Sequence, residues 1–91
     1  MNKIWIVTLY YMWESFIDGE HTMSPEAIFA FKTFDKAKAF VEADARQYED
    51  EYGAFHWNNG KEYTAEKIEG EVCPHTLRKL SYFLDQTLLE D

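Results

Sequence analysis

The spacing of apolar residues changes period several times along the chain, and each change marks an element. Residues 3–12 are rich in Ile, Val, Thr, Trp and Tyr, the composition of a strand. Ile4, Ile6, Thr8 and Tyr10 share one face of it, and Trp5, Val7, Leu9 and Tyr11 share the other. Both faces are apolar, which predicts a central strand covered at least in part on both sides. Residues 13–24 read as a connection. Asp18-Gly19 supplies a turn, and Ser24-Pro25 restarts the chain in an extended conformation. Residues 26–32 then read as a second strand, with Phe29 and Phe31 on one face and Ile28, Ala30 and Lys32 on the other.

The period next lengthens to that of a helix. Phe34, Ala37, Phe40, Val41, Ala45, Tyr48 and Tyr52 form one apolar stripe, while Lys36, Lys38, Glu42, Arg46, Glu49 and Asp50 lie off it. Thr33 can accept a free amide of the first turn, and Asp35 suits the positive end of the helix dipole. Gly53 closes the helix because glycine enters a left-handed conformation cheaply. A short third strand over residues 54–57, a hairpin turn at Asn58-Asn59-Gly60-Lys61 and a charged edge strand over 62–68 follow. Pro74 and the spacing of Leu77, Leu80, Phe83 or Leu84 and Leu88 predict a final helix over 74–89. The expected architecture is a single α+β domain over residues 1–91, with a mainly antiparallel four-stranded sheet in the order β-β-α-β-β-α. The first helix is expected to cover one sheet face through Phe29, Phe31, Phe34, Ala37, Phe40 and Val41.

The run Lys3-Ile4-Trp5-Ile6-Val7, the segment Ile28-Phe29-Ala30-Phe31-Lys32-Thr33, and then Asp35-Lys36-Ala37 and Phe40-Val41 resemble a broad group of small uncharacterised bacterial and phage proteins. Their pattern is an opening strand, a second strand ending in Phe with a capping Ser or Thr, and a helix that begins with a Lys-Ala pair. The resemblance covers about the first half of the chain. It implies a strand-strand-helix start and a small accessory protein, and it carries no catalytic residue. The connection over residues 13–24 and the final helix depart from it.

Composition narrows the function classes. Ninety-one residues make one domain. One cysteine, Cys73, excludes an intrachain disulfide and suits a reducing compartment. The opening run is too short and too β-branched for a signal peptide, and no stretch reaches the ~20 apolar residues of a membrane span. A soluble, cytoplasmic protein is expected. Seventeen acids against nine bases give a formal net charge of -8, which disfavours direct binding to nucleic acid or to an anionic membrane.

No constellation for catalysis emerges. Cys73-Pro74-His75 with His56 or His21 could offer metal ligands, but the paired spacing of zinc sites is missing; the ordinary reading is a turn. Cys73 with His56 or His75 could form a nucleophile and base, yet no oxyanion loop or orienting partner accompanies them. No cofactor, metal or catalytic residue is therefore expected. Glu42, Asp44, Glu49, Asp50 and Glu51 read first as a solvated helix face. Their functional reading is a negative patch that competes with nucleic acid for a basic groove. The aromatic set Trp5, Tyr11, Trp13, Phe16 and Trp57 either fills the core or anchors an interface. Trp13 and Phe16, placed in the connection, are best located to reach a partner. Together, Trp13, Phe16, Trp5, Tyr11, Trp57, Glu42, Glu49, Asp50 and Glu51 form the candidate partner-binding set.

These residues point to a non-catalytic acidic binding module. It would be an inhibitor or modulator of phage or mobile-element type, docking on a basic surface of a nucleic-acid-handling or defence protein; anti-CRISPR and antirestriction proteins share its size and charge, a likeness of composition and not of homology. The alternative is a small structural protein whose rings form a homodimer contact through a sheet face or edge. A Cys73-dependent enzyme stands third.

Overall fold

The computed structural model describes residues 2–70 and 75–89. Its strands are β1 (Asn2–Ser15), β2 (His21–Phe31), β3 (His56–Asn58), β4 (Glu62–Glu69) and β5 (Thr76–Leu89). They form one antiparallel sheet in the spatial order β2-β1-β5-β4-β3. Between β2 and β3 runs a single helical segment: α1 (Phe34–Asp44), a 3-10 turn (Ala45–Tyr48) and α2 (Glu49–Tyr52). The chain order is ββαβββ.

The two longest strands, β1 and β5, occupy the middle of the sheet and pair along their whole length, from Asn2 opposite Leu89 to Ser15 opposite Thr76. Val7, Leu9, Leu80, Tyr82, Leu84 and Ala65 point to the same side of the sheet and meet Ala37, Val41, Ala45 and Tyr52 of the helical segment. Small residues at 37 and 45 let the helix backbone settle close to the strands. Thr33 starts the helix as expected: its backbone is extended and its hydroxyl accepts from the Lys36 amide at 3.2 Å. Gly53 ends it at φ +83°, and Asn59 and Gly60 at φ 55° and 70° turn the chain from β3 into β4.

The expected four-stranded sheet with two helices is overturned: the described residues form five strands and one helical segment. The largest difference is at the C-terminal end, where residues predicted as a helix form the central strand β5. Leu77, Leu80, Leu84 and Leu88 fit a helical spacing, but Leu80, Tyr82 and Leu84 also alternate. Fourteen consecutive residues pairing with β1, with β4 on the other side, outweigh an isolated helix too weakly capped to hold itself. The connection predicted over 13–24 is likewise mostly strand. β1 runs on to Ser15, a short turn holds Phe16, Ile17 and Asp18, and β2 begins at His21. Here the tight turn is set by backbone bonds from Ser15 to Glu20 at 2.7 Å and from Gly19 to Ser15 at 3.0 Å. Pro25, read as a restart, sits inside β2, which tolerates it because no described strand pairs with the outer side of β2. β1 is central as expected, but the helical segment covers only one of its faces.

Candidate docking surface

The sheet face opposite the helix has no layer over it among the described residues. The pleat sends Ile4, Ile6, Thr8, Tyr10 and Met12 of β1 to that side. By register, Ile28 and Met23 of β2 and Phe83 and Leu77 of β5 join them, with Ile68 opposite Leu77 on β4. Ile28 is 68% exposed, Ile68 58% and Met23 51%, values that no buried strand face would show. Tyr10 and Phe83 meet edge to face with ring centroids 5.5 Å apart. Met12, Met23 and Leu77 line a shallow groove of about 330 Å³, rimmed by Glu14, His21 and Lys79. The four longer strands, at about 4.8 Å spacing and about 3.3 Å rise over roughly ten residues, give this face a footprint of about 600 Å².

Polarity is distributed unevenly across it. The apolar residues lie over β2, β1 and the near side of β5. The β4 side carries Glu62 and Glu66, and β5 adds Asp85 opposite Ile6. Lys79 is the cation on this flank; it pairs with Glu62 at 3.4 Å and stands opposite Glu66. That ion pair runs diagonally over Thr64 and Ser81, which explains how two hydroxyls on an uncovered face are almost wholly buried. Thr64 donates to the Leu80 carbonyl at 3.2 Å, leaving Ser81 to donate to Thr64 at 2.7 Å. The surface is therefore an apolar stripe with an acidic border.

The helix-side face holds the more elaborate polar chemistry, centred on Arg78 and on Tyr82. Arg78 donates to Glu69 at 3.0 Å and to the Tyr11 hydroxyl at 3.1 Å, and it pairs with Glu51 at 3.2 Å. Its guanidinium also lies 5.6 Å from the Tyr11 ring centroid and 5.7 Å from that of Tyr52. The bond from Arg78 holds the Glu69 carboxyl below its usual range, and Glu69 and Tyr11 in turn raise Arg78 further above neutrality. An arginine so neutralised leaves little charge for a ligand. Tyr82, fully buried, donates to Asp44 at 2.5 Å; burial first, and then the Asp44 carboxylate, push its phenol far up. Burial likewise raises the phenols of Tyr48, Tyr52 and Tyr63. Raised tyrosines of this kind stay protonated; Tyr82 donates to Asp44, and the other three pack with the core.

The candidate residues separate into three places. Trp5 packs edge-on to Phe34 at 5.0 Å, Tyr11 belongs to the Arg78 cluster, and Trp57 lies tilted against Tyr63 at 4.6 Å with Lys38 over its ring. All three border the core on the helix side. The buried Trp57 Nε1 has no hydrogen-bond partner. Trp13 sits near the far end of β1, opposite Arg78, and Phe16 is half-exposed in the following turn. Glu42, on α1, is partly buried, and Glu49, Asp50 and Glu51 are exposed on α2, where Glu51 is engaged by Arg78. The structure does not bring these residues together on one surface. Sequence reasoning missed Ile4, Ile6, Tyr10, Met12, Met23, Ile28 and Phe83 as a surface. The available signal is that β1 is apolar on both faces, which reads along the chain as partial cover on both sides.

Among the described residues, no three His, Cys, Asp or Glu side chains are grouped to hold a metal ion, and no helix is long and apolar enough to cross a membrane. Cys73, and with it the Cys73-Pro74-His75 motif as a unit, lies outside the described residues. Comparison with protein-family models, curated proteins and solved structures gives no match for this chain.

Proposed function

We propose that this chain is a non-catalytic binding module that docks through the uncovered face of its sheet onto a protein with a basic border around an apolar patch. One observation carries the reading: the apolar stripe over β2, β1 and β5 is open on the side away from the helix and is flanked by Glu62, Glu66 and Asp85. The whole open face, about 600 Å² over four strands, approaches the ~800 Å² per partner of an ordinary stable interface. A net charge of -8 steers a cationic partner in and repels nucleic acid. Burial of the aliphatic and aromatic side chains then slows dissociation. A partner that handles nucleic acid fits this chemistry, because its own working groove is basic. Occupying or shielding that groove would inhibit or modulate it without any covalent step.

Affinity capture from the native host tests this, run side by side with wild-type chain and with Met12→Glu and Leu77→Glu. Both positions lie on the open face, so the variants are expected to fold and to lose the partner. With the captured protein purified, the association rate should fall steeply as salt rises. Capture that survives both substitutions, or an association rate indifferent to salt, refutes the reading.

A further inference from the structure

We propose that Met12, Met23 and His21 form a binding site for a soft monovalent metal ion, Cu(I) or Ag(I), at the end of the open sheet face where β1 and β2 run into their turn. The site does not rest on the docking reading, because two thioethers and an imidazole hold such an ion without a partner protein.

Strand register brings the three ligands together. The chain has three methionines, and two of them, Met12 on β1 and Met23 on β2, stand directly opposite each other. Directly opposed residues have Cβ atoms about 5 Å apart. His21 lies two residues before Met23 on the same face of β2, about 7 Å along the strand. All three line one groove of about 330 Å³. A methionine side chain turns about three bonds, so both sulfurs can converge on one ion with a ring nitrogen as the third ligand. A closed-shell Cu(I) or Ag(I) ion accepts so few ligands.

The donor set selects the ion. Thioethers favour soft ions, whereas carboxylates and carbonyls suit hard ones. A zinc site draws its four ligands from thiolates, imidazoles and carboxylates, and among the described residues no three His, Cys, Asp or Glu side chains are grouped to supply them. Packing does not account for these sulfurs either. In a core, methionine fills irregular gaps, but Met23 is 51% exposed on a face with no layer over it among the described residues.

The surroundings suit a cation. Glu14 stands opposite His21 in the register and lines the same groove. A carboxylate there can take the second ring N–H of a ligating imidazole and fix its orientation. Lys79, the cation lining the groove, is paired with Glu62 at 3.4 Å. The net charge of -8 adds a favourable field at longer range.

The test is a titration with Ag(I), which brings no redox chemistry, followed by NMR of the methionine methyl groups and the His21 ring. A parallel titration uses Cu(I) without oxygen, in competition with a coloured Cu(I) chelator. Every chain carries Cys73→Ser, so that no thiol competes, and wild-type chain with its thiol capped by iodoacetamide is the second background. One ion should bind per chain. The signals of Met12, Met23 and His21 should shift together, and the methyl of Met1 should stay in place. Met12→Leu, Met23→Leu and His21→Gln should each weaken binding at least about tenfold, no less than the loss of an outer-shell partner costs. Met12→Leu/Met23→Leu should abolish it, while Zn(II) should not compete. Leucine keeps the apolar character and nearly the volume of methionine, so these variants should fold, which a melting curve checks, and should still capture a docking partner. Failure of the metal site therefore leaves the docking reading standing, and failure of docking leaves the metal site standing. No Ag(I) or Cu(I) binding in either background overturns the proposal. So does binding that the double leucine variant retains, or Zn(II) held as tightly as Ag(I).

Discussion

Tyr82 ties the helical segment to the centre of the sheet, and removing its hydroxyl alone is an incisive test of how these two layers are joined. The ring is fully buried in β5, and the phenol donates to Asp44 Oδ2 at 2.5 Å, at the C-terminal end of α1. Tyr82→Phe keeps the ring and its packing and deletes one charge-assisted hydrogen bond. Such bonds contribute about 1.5–3 kcal/mol net. Asp44 is only partly buried and keeps Gln47 Nε2 at 2.9 Å, so water can take up part of the loss. The lower end of that range, about 1.5 kcal/mol, is expected. For a domain of this length it lowers Tm by roughly 6–12 °C. The pH dependence adds a second readout. The phenol's pKa is raised in the folded state, first by burial and then by Asp44. A raised pKa contributes stability that is fully present below the unfolded value near ~10 and is lost as pH rises from there toward the folded value. Wild type should therefore lose stability from about pH 10 upward more steeply than Tyr82→Phe, and the gap between them should narrow. Urea unfolding at pH 7 and at about pH 10.5, followed by circular dichroism, measures both. A difference at neutral pH below about 0.5 kcal/mol, or a gap that does not change with alkalinity, refutes the argument that this bond clamps helix to sheet.

The Thr64–Ser81 pair should behave as a unit. Thr64→Val alone strands the Ser81 hydroxyl and should cost about 1–2 kcal/mol, whereas Thr64→Val/Ser81→Ala should cost less than the two single changes together, a non-additivity that a double-mutant cycle in urea reads directly. Glu69 gives an acid-side prediction. The bond from Arg78 lowers its folded pKa, so its contribution is present above the unfolded carboxylate value and is lost as pH falls through the folded one. Wild type and Glu69→Gln should accordingly differ in Tm near pH 7 and converge as the pH approaches ~3.

How much of this was legible along the chain differs by element. The strand alternation of residues 3–12, the Thr33 cap, the apolar stripe from Phe34 to Tyr52, the Gly53 stop and the Asn59-Gly60 turn all act within a few residues, and the structure contains each of them. They are set by backbone sterics and local hydrogen bonds, so a local pattern reports them. The aromatic candidates rest on chemical type, and Trp13 and Phe16 also on a predicted connection that is mostly strand. Type does not tell which face of the sheet a helix will cover, and so Trp5, Tyr11 and Trp57 could not be distinguished from surface rings.

Local sequence therefore determined that the chain makes an apolar opening strand, a capped helix and a tight hairpin, and that its exterior is acidic. The tertiary structure alone decided that residues 76–89 form the middle strand of the sheet and that, among the described residues, β2 is left at an edge and one apolar face has no helix over it. The physical reason is the reach of the interactions. Leu80 and Leu84 satisfy either period, and the free energy that separates strand from helix comes from β1, more than sixty residues earlier in the chain. Pairing at that distance leaves no mark on the spacing of nearby residues, and neither does the absence of a cover on the sheet's far side.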